Sequence, residues 1–140
     1  MKKFKLIIIS GILILFFNYS VLFADEKNYK IIKLVNDQVI TNYDLEQRIK
    51  LHATLNNLNL NDGNIDKLAN DLLLLMVEEK LQIEQMDKYK ISISENKIND
   101  YIQRAYIGKE NDVDDLIELL NRNNIDIKIL KNLVQVRLGW

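Results

Sequence analysis

Six apolar residues in a row, Leu72-Leu73-Leu74-Leu75-Met76-Val77, sit inside a stretch from Ile65 to Tyr89 that contains neither glycine nor proline. Ahead of the run, Ile65, Leu68, Ala69 and Leu72 recur at helical spacing. Behind it, Leu81, Ile83 and Met86 alternate with Glu78, Glu79, Lys80, Gln82, Glu84 and Gln85, all but Ile83 drawn from the strong helix formers. One helix of ~38 Å is the economical reading, at 1.5 Å per residue. A helix apolar all round in its middle needs cover on several sides, so Leu72, Leu75 and Met76 are expected to be buried, with the remaining elements packed around them. The run is too short for a membrane span, which takes roughly 20 apolar residues.

The flanking segments supply candidate cover. Ile31 to Val35 is β-branched and apolar, Asn36-Asp37 is a turn pair, and Gln38-Val39-Ile40 is the return strand of a hairpin. A two-stranded hairpin is marginal alone, so it must lie on helices. Thr41 with Asp44 three residues on is the sign of a capping box, opening a helix from Asn42 to Leu55 with Leu45, Ile49, His52 and Ala53 on one face. Asn56 to Asn64 is a polar loop. Ile91 and Ile93 form an extended link, and Ser94 is placed to cap a third helix, ended by Gly108, with Ile98, Tyr101, Ile102, Ala105 and Tyr106 as its stripe. Asn111 or Asp112 caps a fourth, with Val113, Leu116, Ile117 and Leu120 as its stripe, and Asn123-Asn124 stops it. Asp126 caps a fifth that carries Ile127, Leu130, Leu133, Val134, Val136, Leu138 and Trp140. The fold class is therefore mainly α: several helices around one long helix, with a small N-terminal β-hairpin. The last helix is still apolar at Leu138 and Trp140, with nothing after them to cover it, and the expectation is that a longer protein continues beyond Trp140.

The start of the chain sets the compartment. Lys2, Lys3 and Lys5 precede an apolar stretch from Leu6 to Phe17, and Ala24 stands before the first acid, Asp25. That is a secretory signal pattern, residues 1–24, with an uncleaved anchor as the rival. Residues 25–140 form the exported domain. All 20 acids lie after residue 24 and three of the 19 bases before it, so that domain carries a net charge of −4. Nucleic acid is an unsuitable partner, since its binders carry a basic face. The chain has no cysteine, so an oxidising compartment is tolerated without a disulfide.

Candidate chemistry is sparse. His52, the one histidine, reads as a ligand or base, or as a packing side chain. The second is preferred, because no ordinary zinc site forms without another His or a Cys. The loop around Asp62-Gly63 has the density of oxygen ligands that calcium takes. Counting back from Gly63, however, puts Leu58 and Leu60 where an EF-hand needs oxygens and Ala69 where it needs Glu. Asp114 and Asp115 suit a helix start better than a catalytic pair. We assign no catalytic, cofactor or metal residue. Tyr101 and Tyr106 read first as packing residues and second as contacts for a bound peptide. With Leu138 and Trp140 they make up the candidate peptide-binding set.

Two stretches carry a family resemblance. Val35-Asn36-Asp37-Gln38-Val39-Ile40-Thr41-Asn42-Tyr43-Asp44-Leu45 resembles the opening of SurA-type periplasmic chaperones. So does Val77-Glu78-Glu79-Lys80-Leu81 through Tyr89, followed by Ile91-Ser92-Ile93-Ser94-Glu95. The resemblance covers nearly all of Ile31 to Trp140. It implies a helical N-terminal chaperone domain that binds unfolded outer-membrane proteins, or extended apolar and aromatic peptides, during transit through the periplasm. Three features depart from the pattern. Lys90 stands where a glycine commonly ends the long helix, which would require φ > 0 of a lysine. Met86 replaces a residue that is often small. The parvulin-type prolyl isomerase domains have no counterpart, so the family's isomerase activity is carried to no residue here. The alternatives are the front part of a peptidyl-prolyl isomerase, or a non-catalytic helical domain whose open face is filled by a second copy.

Overall fold

The computed structural model describes residues 29–60, 63, 65–107 and 112–140. The signal-type segment 1–24, Gly108 and Asn111 lie outside the described residues. The rest is mainly α, with a small two-stranded hairpin at its start, as the pattern predicts. The elements are β1 (Ile31–Val35), β2 (Gln38–Thr41), α1 (Asn42–Leu55), α2 (Ile65–Lys88), α3 (Glu95–Ile102) continued by a π-helical turn (Gln103–Ile107), α4 (Val113–Arg122) and α5 (Ile127–Gly139). Among the described residues no helix is long and apolar enough to cross a membrane.

β1 and β2 pair antiparallel, Val35 with Gln38 and Leu34 with Val39, and the register slips between Ile31 and Lys33. Asn36 takes the left-handed place in the turn, at φ 50. Alternation then puts Val35 and Ile40 inward and Leu34 and Val39 outward, and the slip leaves Ile31 outward as well. Asn36 Nδ2 donates to Glu84 Oε2 at 2.6 Å and Gln38 Nε2 to the Lys80 carbonyl at 3.0 Å, which pins the hairpin to α2. The capping box forms: Thr41 Oγ1 accepts from the Asp44 N–H at 3.1 Å, and Asp44 Oδ2 accepts from the Thr41 N–H at 2.8 Å.

Three helices end in one way. The N–H of Leu58, Ile91 and Ile125 donates back to the carbonyl of Ala53, Met86 and Leu120, respectively. The residue before each donor is left-handed: Asn57 at φ 52, Lys90 at φ 54 and Asn124 at φ 54. These are Schellman caps, normally closed by glycine, and the expectation of a left-handed Lys90 holds. At the other end of α3, Ser94 occupies the cap position but its hydroxyl makes no capping bond. Asp126 caps α5 through the Lys128 N–H at 2.9 Å.

The long helix is not the hub of the apolar core. The larger buried cluster is Leu51, Ile98, Ile102, Ile107, Leu116, Leu120, Ile125, Leu130 and Val134, drawn from α1, α3, α4, α5 and the turns beside them. α2 contributes Met76 to a smaller cluster with Val35 and Ile40, flanked by Leu45, Leu73 and Val77. Of its apolar run only Leu72 and Met76 are buried, while Leu74 is 65% exposed and Leu75 50%. The expectation that Leu75 is a core residue is thus corrected. α2 is packed by the hairpin, α1 and α5 and left open elsewhere. In α1 Ala53 is buried as expected, but the other buried positions are Gln47 and Leu51, while Leu45, Ile49 and His52 are only partly buried, so the inward face is rotated from the one read off the sequence. Gln47 is drawn inward by its bond to the Asn124 carbonyl at 3.2 Å, a partner 77 residues away.

Candidate functional site

The open side of α2 faces a groove of about 730 Å³. α1 supplies Arg48, Leu51, His52 and Leu55 to it, and α2 supplies Leu72, Leu75, Glu78, Glu79 and Gln82. Ala105 and Tyr106 come from the π turn, and Leu133, Val136, Arg137 and Trp140 from α5 and the residue after it. Two adjustments set the helices around it. The first is the π turn. It holds one residue more than an α turn, so the phase of the α3 stripe slips: Ile107 is buried and Ala105 is exposed, reversing the inward position expected for Ala105. The second is the approach of α5 to α2. A Cβ on Gly139 would lie 2.1 Å from Met86 Cε, so the absence of a side chain there lets the bulky Met86 fit between the helices.

An ion pair forms part of the groove wall. Arg48 Nη1 donates to Glu79 Oε1 at 2.8 Å and Nη2 to Oε2 at 2.6 Å, a two-pronged link between α1 and α2. The side chains are only 13% and 18% exposed, and Arg48 Nε is buried with no partner. The same pair borders a second cleft of about 160 Å³, with Asp44, Met76, Ile83 and Val136. Across the groove, Arg137 Nη1 donates to the Tyr101 hydroxyl at 3.3 Å. That bond raises the Arg137 pKa above its ordinary value, with smaller contributions from Tyr106 and Glu79. Among the described residues no cluster of three or more metal-ligating side chains forms.

The four candidate peptide-binding residues divide. Tyr106 and Trp140 line the groove, and Trp140 is 70% exposed. Tyr101 stands beside Tyr106, ring centroids 6.5 Å apart at 60°, and reaches the groove through Arg137. Leu138 is not among the lining residues and packs against the larger core cluster. Sequence reading missed Leu75, His52, Arg48 and Glu79 as groove residues. A signal for part of this was present: Leu72, Leu75, Glu79 and Gln82 share one α2 face that turns from apolar to polar along its length. The Arg48–Glu79 contact spans 31 residues and leaves no local trace.

No protein-family model matches the chain, and no solved structure matches it. The chain is 30% identical over 128 residues to a protein described as Chaperone SurA from Hydrogenovibrio crunogenus; the alignment takes in 89% of this chain. It spans 27% of the length of that relative. This similarity supports a SurA-like relationship.

Proposed function

We propose that residues 25–140 are a chaperone-type domain of the periplasm, delivered there by residues 1–24, and that the groove holds extended apolar segments of unfolded proteins. Unfolded outer-membrane proteins are the clients that suit it, because their strands alternate apolar and polar residues and carry aromatic girdles. The observation that carries the reading is the groove itself: Leu75, Tyr106, Leu133 and Trp140 present apolar and aromatic surface to solvent on a frame of four helical elements. The similarity to a chaperone over most of the chain supports the same reading. Holding a client takes surface and no catalytic group.

The test is a titration of a fluorescent, aromatic-rich extended peptide, read by anisotropy, together with the aggregation of an unfolded outer-membrane protein. Binding near micromolar is expected, about −8 kcal/mol, with a change in the emission of Trp140, the sole tryptophan. Leu75→Ala should weaken it. Unchanged aggregation and anisotropy would overturn the reading. A second reading has one observation in its favour: Leu74 and Leu81, seven residues apart on α2, are both exposed, outside the groove lining, and could seat a second copy of the chain. A sedimentation profile dominated by dimer, abolished by Leu81→Lys, would select it.

A further inference from the structure

The groove is apolar and aromatic on most of its wall, yet it contains two guanidinium groups that stand differently. Arg48 is consumed: both terminal nitrogens are held by Glu79. Arg137 is not. Among the described residues its hydrogen-bond partner is a phenol, Tyr101, at 3.3 Å, and no carboxylate comes within ion-pair distance of it. Glu79, close enough for its charge to act on Arg137, already gives both oxygens to Arg48. Arg137 therefore brings an oriented cation with spare N–H donors to the same wall as Tyr106, Leu133 and Trp140.

We propose that Arg137 is a specificity-determining residue of the groove: it selects, among extended aromatic-rich segments, those that carry an acidic side chain next to their apolar residues. The inference rests on the groove being the client site. The occupant is an internal Asp or Glu of the client, whose carboxylate matches the planar fork of the guanidinium. Internal acids suit it better than a chain end, since an unfolded client offers many of the first and one of the second. Tyr101 is a positioning residue, holding the guanidinium toward the groove while Trp140 and Tyr106 take the neighbouring apolar side chains. Lysine cannot reproduce this, because its ammonium is a point charge without a fork.

The experiment uses the whole chain and pairs of aromatic-rich peptides, both amidated at the C-terminus, that differ only in one central Glu or Gln. The Glu peptide should bind roughly three- to five-fold more tightly, the scale of an exposed ion pair, with the advantage shrinking in high salt. Arg137→Gln should abolish the difference between the two peptides, Arg137→Lys should restore only part of it, and Tyr101→Phe should reduce it. Equal binding of the two peptides by the unaltered protein, or a Glu preference that survives Arg137→Gln, would overturn the proposal and leave the client groove standing. A Glu preference present only with a free C-terminus would assign the cation to chain ends and overturn it too. Absence of binding by both peptides would remove the groove reading and this inference together. Should Arg137→Gln fail to fold, Arg137→Lys and Tyr101→Phe carry the same test, and a Glu preference undiminished in both overturns the proposal.

Discussion

At the scale of single residues, Leu75 shows how a uniform apolar run conceals its own orientation. Six apolar residues in sequence carry no phase, so nothing in 72–77 says which of them face the core; the neighbours on α1 and α5 decide it. Two leucines three residues apart test that decision. Leu72→Ala should cost about 2–4 kcal/mol, as a buried large-to-small change does, and Leu75→Ala about 1 kcal/mol or less, because its side chain is already half in water. Urea midpoints of the two variants check this, and equal losses would contradict the exposed face of α2. Lys90 offers the opposite lesson: its left-handed backbone was legible from the family resemblance, which commonly places a glycine there. Lys90→Gly should raise stability by about 0.5–1 kcal/mol, since it relieves a side chain held at φ 54 and keeps the bond from Ile91 to Met86. A lowered midpoint would mean the lysine stem is packed in a way that outweighs the strain.

At the scale of elements, local chemistry was readable and long-range chemistry was not. The hairpin, α1 from Asn42 to Leu55, and the caps at Thr41 and Asp126 followed from residues within four positions of one another. The π turn did not, because no composition rule announces one extra residue per turn, and its price was the misplaced Ala105. Nor did the contact between α2 and α5 at Met86 and Gly139, which lie 53 positions apart and read only as a departure from a family pattern. That contact can be measured as a coupling. Gly139→Ala should destabilise by about 1 kcal/mol or less, since the new Cβ meets only the flexible end of the Met86 side chain and forces it to move. In the background of Met86→Ala the same change should cost much less, so the two changes are non-additive. Additive losses would mean that the thioether swings aside freely.

At the scale of the whole molecule, the two apolar clusters predict two levels of protection. The larger joins α1, α3, α4 and α5, whereas the hairpin is tied to the rest chiefly through α2, Met76 and two side-chain hydrogen bonds. Amide hydrogens of residues 31–41 should therefore exchange by a lower-energy opening than those around Leu130 and Val134. Uniform protection would show that the clusters unfold as one. The groove lies where the two parts meet, which is why its lining comes from segments as distant as Arg48 and Trp140. The π turn has a consequence on this scale. Deleting a single residue between 103 and 107 would let α3 run on as an ordinary α-helix, a better hydrogen-bonded and less costly backbone, and would hand every following side chain the direction of its neighbour. Tyr106 would leave the groove, and the chain would fold more firmly around a blank wall. A reading frame shorter by one codon would thus exchange the groove's aromatic wall for ease of folding.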